Sequence, residues 1–296
     1  MDFSKLKGEI YFKNKFIKAK NAKIHVLNHS LHFASSVFEG IRVYNNKILF
    51  LDNHIYRLIE SSKLMGLKLK FNFNKIVNLN KLIIKKNNIK FGYIRPLVFR
   101  SSHSMSPDTV KCKTYLAIAA WKWQNLFDDQ SGIKLNIGKF PKLNSKIYPI
   151  SAKSSGSYQT SVISKIDSNK KKFDDCLMLD LKKNIAETSA CNIFWIKNNC
   201  IFTSKEHSIL NGITRQAVIE FCKLKKIKFI KGNFKINHLL NSECVFVTGT
   251  AAEIQFVKSV NRVKFKKNKI FYKLQSYYEI IKKNPPSSIS KIKKYI

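Results

Sequence analysis

Strand-like and helix-like segments alternate along the first 121 residues, and this alternation limits the fold more than any other feature of the sequence. The segments "GEIYF", "IRVY" and "KILFL" have the apolar, β-branched and aromatic residues typical of strands, and Asn45 and Asn46 join the last two in a predicted hairpin turn. "DNHIYRLIESSKLMGL" has apolar residues at helical spacing, with Asp52 as a candidate N-cap. A second helix is predicted over 75–87, and strands return in "YIRPLVF" and "TYLAIAAW". The pattern predicts a small α/β domain over residues 1–121.

Residues 122–133, "KWQNLFDDQSGI", lose this periodicity and are interpreted as a linker. Residues 134–296 are predicted to form a second domain, also mixed α and β but richer in strand, and the tail after Pro285 and Pro286 is predicted to be loosely held. Its predicted strands are "IKLNIGKF", "DCLMLD", "NIFWI", "CIFT", "ECVFVTG" and "EIQFVKSV". Its predicted helices lie near 154–167, 213–225 and 269–283.

The chain carries 55 Lys and Arg against 18 Asp and Glu, a net charge of +37, which is typical of proteins that bind polyanions. However, Lys, Asn, Ile and Phe, which AT-rich codons encode, are abundant, while Gly and Arg are scarce. Coding bias therefore explains the charge without a specific nucleic-acid partner, and a polyanion-binding protein remains the alternative. In such a chain, each remaining Arg or Gly indicates a position that Lys or Asn would not fill. Arg offers a planar fork of donors, and Gly permits close backbone approach.

Membrane, secreted, disulfide-rich and metal-binding classes of protein lack support in the sequence. No apolar stretch approaches the roughly 18 to 20 residues of a membrane span, and the N-terminus lacks the long apolar region of a secretory signal. Six scattered cysteines form no CxxC pair and predict neither a zinc site nor a disulfide framework. His25, His29 and His32 are spaced for a metal on a helix, but no acidic or Cys partner follows until Glu39, so structural histidines are favoured and no metal is predicted. We expect a soluble, cytoplasmic protein.

Two glycine-containing turns are candidate anion sites. In "LNGITRQAVIEF", Gly212 precedes an amphipathic helix, so the amides of Ile213 and Thr214 lie at its positive end, which suits a phosphate. In "VTGTAAEI", the glycine lets the amides of Thr250 and Ala251 approach an anion closely. An ordinary helix start and an ordinary turn between strands are the alternatives.

Two charged residues stand among small neighbours. Lys153 in "ISAKSSGSY" has room beside it for a flat cofactor, and a desolvated lysine has a lowered pKa and becomes nucleophilic. Glu187 in "NIAETSACNIF" lies amid small apolar and hydroxyl residues rather than in a charged run. Each is a candidate for a catalytic or cofactor-binding role, and the residues alone do not show which role it has.

Five motifs in this order and spacing, "HSLHFASSVFEGIRVY", "YIRPLVF", "AKSSGSY", "LNGITRQAV" and "VTGTAAEI", resemble the branched-chain amino acid aminotransferases of the class IV, fold type IV pyridoxal phosphate enzymes. The resemblance runs from about residue 8 to residue 262. It implies a small α/β domain, a larger pseudo-barrel domain and a pyridoxal 5'-phosphate cofactor in the cleft between them. "VFEGIR" together with "GTAAEI" favours this family over D-amino acid aminotransferases and lyases of the same fold, which remain the alternatives.

The resemblance also implies roles for the candidate residues. Lys153 matches the lysine that forms the Schiff base and moves the proton between Cα and C4′, and Glu187 matches the carboxylate that pairs with the pyridine nitrogen. Tyr158 matches the phenol that hydrogen-bonds O3′, and Arg57 matches the guanidinium on the phosphate. The remaining phosphate ligands implied are the amides of Ile213 and Thr214 and the hydroxyl of Thr250.

For the substrate, the resemblance implies that Tyr93 and the turn of Thr250 and Ala251 hold the α-carboxylate, and that Arg95 accepts the γ-carboxylate of glutamate. The apolar pocket for Val, Leu and Ile would be built from Phe38, Gly40, Trp123, Tyr158 and Met105 of a neighbouring subunit. Phe33 and Leu126 stand at or near positions where a Tyr is expected, which predicts weaker glutamate recognition. After Glu187, "TSACN" replaces a glycine-bearing run and leaves the local turn open.

The implied activity is transamination between L-glutamate or 2-oxoglutarate and Leu, Ile, Val and their 2-oxo acids. It would follow a ping-pong Schiff-base mechanism and form the last step of branched-chain amino acid biosynthesis. The partners implied are small-molecule amino acids and 2-oxo acids and further copies of the chain, in a homodimer or a homohexamer.

Overall fold

A computed structural model of the chain describes residues 2–123, 126–127 and 131–295, and these residues form two compact units. The first unit contains the described residues before position 124, together with two later segments, Ala152–Gly156 and Lys283–Ser288. The second unit contains the other described residues. The predicted domains are continuous stretches, and no sequence signal indicates that two later segments join the first unit.

The predicted linker over 122–133 falls partly outside the described residues, which omit 124–125 and 128–130. On its two sides, a strand ends at Lys122 and the next strand begins at Ile133.

An antiparallel seven-stranded sheet forms the first unit, in the order β2-β1-β7-β6-β4-β5, with β3 also paired to β6. Asn45 and Asn46 both adopt positive φ angles, as a tight hairpin turn between β4 and β5 requires, and this confirms the predicted turn. The strands are β1 (Glu9–Phe12), β2 (Lys15–Lys18), β3 (Ser36–Phe38), β4 (Ile41–Tyr44), β5 (Lys47–Ile48), β6 (Gly92–Arg100) and β7 (Thr114–Lys122).

Helices α1 (His29–Phe33), α2 (Leu51–Leu64) and α3 (Phe73–Lys86) complete the first unit, and the buried faces of α2 and α3 pack with the sheet in one apolar core. Asn72 caps α3 by accepting a hydrogen bond from the Lys75 amide. The predicted N-cap Asp52 of α2 is wrong, because Phe50 occupies that position in a left-handed conformation and Asp52 lies in the first turn. The amides of Phe50 and Asp52 donate instead to the carbonyls of Pro286 and Ser287, so chain from the far end of the sequence satisfies the start of α2.

Nine strands form the sheet of the second unit, in the order β10-β9-β8-β15-β14-β11-β12-β13, with β16 on β15. A further pairing of β10 with β11 closes six of the strands into a ring, which agrees with the expected pseudo-barrel. The strands are β8 (Ile133–Ile137), β9 (Asp175–Leu179), β10 (Ile185–Thr188), β11 (Asn192–Lys197), β12 (Cys200–Ser204), β13 (Phe229–Gly232), β14 (Cys244–Gly249), β15 (Glu253–Val260) and β16 (Val263–Lys264).

Helices α4 (Gln159–Lys170), α5 (Ile213–Leu224), α6 (Ile236–Leu240) and α7 (Lys269–Lys283) accompany this sheet, and α4 packs on β9 and α5 on β14. The helix predicted from residue 154 begins instead as a 3-10 turn over Ser155–Tyr158 that leads into α4. In the described part of the chain, no helix is both long and apolar enough to cross a membrane.

The tail predicted to be loosely held is structured. A 3-10 helix over Ile289–Tyr295 buries Ile289 and Ile292 and packs against α5 in the second unit. Two apolar side chains at a spacing of three residues give this segment one apolar face, although the surrounding lysines make the sequence resemble a solvated tail.

We therefore predict that the tail stabilises the second unit. Ile292 is fully buried, so Ile292→Ala should lower the free energy of unfolding by about 2–5 kcal/mol, which thermal denaturation would detect as a lower Tm. The neighbouring Lys293 is exposed, and Lys293→Ala should leave Tm unchanged. Equal Tm values for the two variants would contradict a structural role for the tail.

Candidate active site

One face of helix α2 supplies three polar residues to a buried cluster in the first unit. His54, Arg57 and Ser61 follow one another at intervals of three and four residues, which places them on the same side of a helix. His54 and Ser61 are each about 1% exposed. The helix therefore presents an imidazole, a guanidinium and a hydroxyl to the interior of the first unit.

The carboxylate of Glu39 accepts hydrogen bonds from two of these groups. Arg57 donates from Nε to Oε1 at 2.6 Å and from an Nη2 hydrogen to Oε2 at 2.9 Å, and His54 Nδ1 lies 2.7 Å from Oε2. Burial opposes the charge of Glu39, but Arg57 and His54 hold the pKa of this carboxyl well below its usual range. Burial also lowers the pKa of His54, so the ring is neutral and donates its Nδ1 proton to Glu39.

Lys153 is attached to the first unit by its own backbone. Its amide donates to Ser61 Oγ at 3.0 Å, and its carbonyl accepts from the Phe38 amide at 3.0 Å. On the next residues, Ser154 forms a β-bridge with Val37, and Ser155 Oγ lies 2.7 Å from Ser36 Oγ. The segment "AKSSG" thus runs alongside β3 and holds the lysine beside α2.

The amine of Lys153 is chemically distinct. Burial and the nearby cation Arg57 lower the pKa of Lys153 to about 8, although Glu39 partly offsets them. Relative to an ordinary lysine, this shift enlarges the neutral, nucleophilic fraction at pH 7 by about 100-fold or more. The prediction that burial activates Lys153 therefore has a concrete cause in the surrounding charges.

Phe38 and strand β6 form the wall around this amine. The Lys153 Nζ lies 4.9 Å from the centre of the Phe38 ring, and the Arg95 guanidinium lies 4.8 Å from the same ring. The Nε atom of Arg95 is buried and has no hydrogen-bond partner among the described residues, a state that a bound anion would relieve. Gly40 is required for packing, since a Cβ at this position would collide with the hydroxyl of Tyr93.

The other predicted substrate residues of the first unit lie at varying depth. Trp123 packs edge-on against Tyr93 at 4.8 Å between ring centroids. Phe33 ends α1 with 42% of its surface exposed and contacts the His29 ring, while Met105 is 44% exposed in the loop after β6. The structure therefore groups Trp123 with Tyr93 and leaves Phe33 and Met105 largely accessible.

His29 and His32 have protein partners. The ring nitrogens of His29 lie 2.7 Å from Ser35 Oγ and 3.0 Å from the Ser106 carbonyl, and His32 Nε2 lies 3.0 Å from the Val26 carbonyl. The part of the chain that the structure describes contains no group of three or more His, Cys, Asp or Glu side chains that could hold a metal ion.

In the second unit, Glu187 lies on the buried strand β10, and both of its oxygens are engaged. Asn192, its partner across the hairpin to β11, donates from Nδ2 to Oε2 at 2.8 Å, and Lys142 Nζ lies 3.0 Å from Oε1. The turn between the strands forms without glycine, because Thr188 and Cys191 close it with two mutual hydrogen bonds. The replacement "TSACN" thus preserves a hairpin at this point.

The two predicted anion turns converge on this hairpin. Gly212 begins α5 without a side-chain cap, and a Cβ there would collide with Asn192 Oδ1. At Gly249, a Cβ would come within 3.1 Å of Cys191 Sγ. The Oγ1 atom of Thr248 is buried without a hydrogen-bond partner among the described residues. The two glycines therefore allow the start of α5 and the end of β14 to lie close to the β10–β11 hairpin.

The remaining predicted residues also lie in the second unit. Ile213 and Thr214 are buried in the first turn of α5, and Thr250 is partly buried in the turn after β14. Tyr158 ends the 3-10 turn before α4, and its ring centre lies 5.6 Å from Lys142 Nζ. Ala251 and Leu126 both line a cavity of about 520 Å³ beside α7.

Sequence reasoning missed Glu39, His54, Lys142 and Asn192. Glu39 carried the same signal as Glu187, since it is one of only 18 acidic residues and stands in the uncharged motif "VFEGI". The sequence around Lys142 and Asn192 gives no such signal, because it does not show which side chain is buried beside a distant carboxylate.

Known proteins resemble this chain in sequence and in fold. The family model described as "Amino-transferase class IV" matches residues 36–260. The "Probable branched-chain-amino-acid aminotransferase" of Rickettsia felis is 36% identical over 262 residues, which cover 87% of this chain and 90% of that protein. Two solved structures of the T.th. branched-chain amino acid aminotransferase, one with pyridoxamine 5'-phosphate and one complexed with N-(5'-phosphopyridoxyl)-L-glutamate, each match with a TM-score of 0.91 at 26% identity and cover 98% of both chains.

The lowered pKa of Lys153 generates a prediction for the cofactor-free protein. An amine-reactive reagent should modify Lys153 with a midpoint near pH 8, because the neutral amine is the reacting form. Exposed Lys63, whose pKa its Glu60 partner raises, should react only at higher pH and serves as the internal control. Peptide mass spectrometry across a pH series measures both residues in one sample. Identical midpoints would contradict the proposed environment of Lys153.

Proposed function

The chain belongs to the amino-transferase class IV family, and from that membership we propose that it transfers amino groups between L-glutamate and the 2-oxo acids of Leu, Ile and Val. The observation that carries the proposal is the Lys153 amine, which lies beside Arg57 and the buried Glu39 and has a pKa near neutrality. The names of the relatives support the branched-chain substrates, and the glutamate adduct in one solved structure supports glutamate as the donor.

The residues present fit pyridoxal 5'-phosphate. Lys153 offers a nucleophilic amine for its aldehyde, and Glu187 offers a buried carboxylate for its ring nitrogen. The uncapped start of α5 and the unsatisfied Thr248 hydroxyl offer donors for a phosphate. When bound, this cofactor supplies an aldehyde that captures amines and a protonated ring that withdraws electrons.

Each side chain then has a defined task. With the cofactor bound, Lys153 Nζ would hold its aldehyde carbon, and the free amine would carry the proton between the substrate Cα and the cofactor's C4′. A pKa of about 8 suits this exchange, because the amine can both take and give a proton near neutral pH. Glu187 would accept a hydrogen bond from the protonated ring nitrogen, and the Tyr158 hydroxyl would donate a hydrogen bond to O3′.

Arg57 is proposed to hold the phosphate, together with the amides of Ile213 and Thr214 and the hydroxyl of Thr250. A guanidinium has five N–H donors, and the structure shows two of them directed at Glu39. The Glu39 carboxylate therefore fixes the plane of the fork, so that Arg57 would meet the phosphate in a set orientation.

Substrate choice is proposed to depend on Phe38, Tyr93 and Arg95. Phe38 supplies the apolar wall that a branched side chain needs, with Gly40 and Trp123 beside Tyr93. Arg95 lies over the Phe38 ring. Its guanidinium would turn toward the γ-carboxylate when glutamate binds and would stay on the ring when leucine binds. Tyr93 and the turn of Thr250 and Ala251 would hold the α-carboxylate that both substrates share.

We further propose that the protein acts in the cytoplasm as a homodimer or homohexamer, in which Met105 reaches the site of a neighbouring subunit. Its reaction would be the final step of branched-chain amino acid biosynthesis.

Replacing Lys153 tests the function directly. Lys153→Ala should lower the rate of transamination between L-leucine and 2-oxoglutarate by at least about 100-fold, since it removes both the cofactor bond and the proton carrier. Initial rates at several concentrations of both substrates should give the parallel-line pattern of a ping-pong reaction for the unmodified protein. The absorbance of its bound cofactor should change when L-leucine donates its amino group, and the change should reverse when 2-oxoglutarate takes that group up.

The exposed Lys171, which pairs with Asp167, provides the matched control, and Lys171→Ala should retain full activity. A Lys153→Ala variant that still transaminates would overturn the proposal. Turnover of D-alanine in preference to L-leucine would assign the chain to a different activity of the same family.

The exposed ring of Phe33 generates a separate prediction. Phe33→Tyr supplies a hydroxyl that can bond the γ-carboxylate of glutamate, so KM for L-glutamate should fall by about 3- to 10-fold, the worth of one ordinary hydrogen bond of about 1 kcal/mol. KM for L-leucine should stay constant, because an apolar side chain gains nothing from the hydroxyl. An unchanged KM for glutamate would show that Phe33 does not weaken glutamate recognition.

A further inference from the structure

Lys142 is the only lysine among the described residues whose surface is almost entirely withdrawn from water, with 8% of it exposed. The chain contains dozens of lysines, and an ammonium loses much hydration when it leaves water. A buried position for one of them therefore indicates specific compensating contacts.

Those contacts converge on the proposed pyridine-binding carboxylate. Lys142 Nζ lies 3.0 Å from Glu187 Oε1 and donates to Ser161 Oγ at 2.8 Å. The Lys142 amide donates to the Leu179 carbonyl on β9, which fixes the backbone from which the side chain extends. Asn192 donates a hydrogen bond to the other oxygen of Glu187, so the ammonium and the amide each bind one oxygen of the carboxylate.

The charge state of this pair follows from its surroundings. Burial opposes the ammonium of Lys142, but Glu187 and Tyr158 outweigh it and raise the pKa of Lys142, so the residue stays charged. The other titratable groups that act on the pair are the Cys176 thiol, whose pKa burial raises to about 11, and the buried Arg215 guanidinium. An ammonium 3.0 Å from Glu187 Oε1 stabilises the negative charge of this carboxylate.

We propose that Lys142 is a positioning residue for Glu187, whose charge keeps this carboxylate anionic and leaves the shared proton on the ring nitrogen of the cofactor. The inference rests on the proposed function, since it assumes that Glu187 faces that nitrogen. Without the cation, the buried negative charge of Glu187 loses its counter-charge, and the shared proton moves from the ring nitrogen toward the carboxylate. The electron-withdrawing power of the ring then falls, although substrate binding is unaffected.

The ring proton can be observed directly. Protein loaded with ¹⁵N-labelled pyridoxal 5'-phosphate reports protonation through the chemical shift of the ring nitrogen. Lys142→Met should move this chemical shift toward that of a neutral pyridine. It should also lower kcat by about 10- to 100-fold, as replacing a residue that orients a metal ligand usually does. KM for L-leucine should change less than about twofold, because only the chemical step depends on the ring charge. Lys142→Arg should restore both the shift and kcat.

Two further variants separate charge from packing. Lys142→Gln keeps a hydrogen-bond donor and loses the charge, so it should behave like Lys142→Met. If the Met variant does not fold, the Gln variant alone tests whether the charge of Lys142 is needed. Lys171→Met removes an exposed lysine from a surface ion pair and should change neither the shift nor kcat. A protonated ring and normal kcat in Lys142→Gln would overturn the inference.

The same experiment distinguishes this inference from the proposed function. Failure of the unmodified protein to bind the cofactor through Lys153 would refute the function itself. Normal loading of the unmodified protein, together with an unchanged ring shift in Lys142→Met or Lys142→Gln, would refute only the role of Lys142.

Discussion

The buried carboxylate of Glu39 is the interaction on which the geometry of the first unit's site depends. It accepts two hydrogen bonds from one edge of the Arg57 guanidinium, through Nε and Nη2, and one from His54 Nδ1, and all three groups are largely withdrawn from water. A buried anion of this kind is tolerated only when every oxygen is satisfied, so the pairing fixes α2 relative to the loop after β3. Ser61, one turn further along α2, then receives the Lys153 amide. The position of the reactive amine is therefore set through α2 by a carboxylate on a different segment of the chain.

The second unit uses the same principle with a different cation. Glu187 is held by Lys142 and Asn192, and the Asn192 amide also donates to the Leu210 carbonyl, just before the start of α5. One side chain thus links the carboxylate proposed for the ring nitrogen to the helix end proposed for the phosphate. Gly212 allows that link, because any larger residue would displace Asn192. The spacing between two proposed ligand groups follows from one amide that makes two hydrogen bonds.

The sequence predicted the local features of the fold and missed the long-range ones. The predicted strands and the Asn45 and Asn46 turn depend on near neighbours, and they agree with the structure except in "KILFL", which is a strand only over Lys47–Ile48 because α2 begins at Leu51. Asp52 failed as an N-cap because chain near Ser287 satisfies the amides at the start of α2, and the tail failed as a loose end because Ile292 is buried. Among the site residues, Lys153 and Glu187 were visible through their small neighbours. Lys142 was invisible, because its burial depends on a carboxylate in another strand.

Arginine is scarce in this chain, and the few arginines lie at particular positions. If coding bias replaces Arg by Lys wherever either will serve, the Arg that remain should occupy positions where Lys would not serve. Arg42, Arg100 and Arg215 are indeed buried, and Arg100 donates to the carbonyls of Met65 and Gly66 while Arg215 donates to Glu206 and Asn211. A guanidinium suits such sites because it is weakly hydrated and offers five donors in one plane. Lys142 departs from this rule, since it is buried without being Arg. Its site has one carboxylate oxygen and one hydroxyl to satisfy, and the compact ammonium of a lysine can satisfy both, so Lys serves at this buried position.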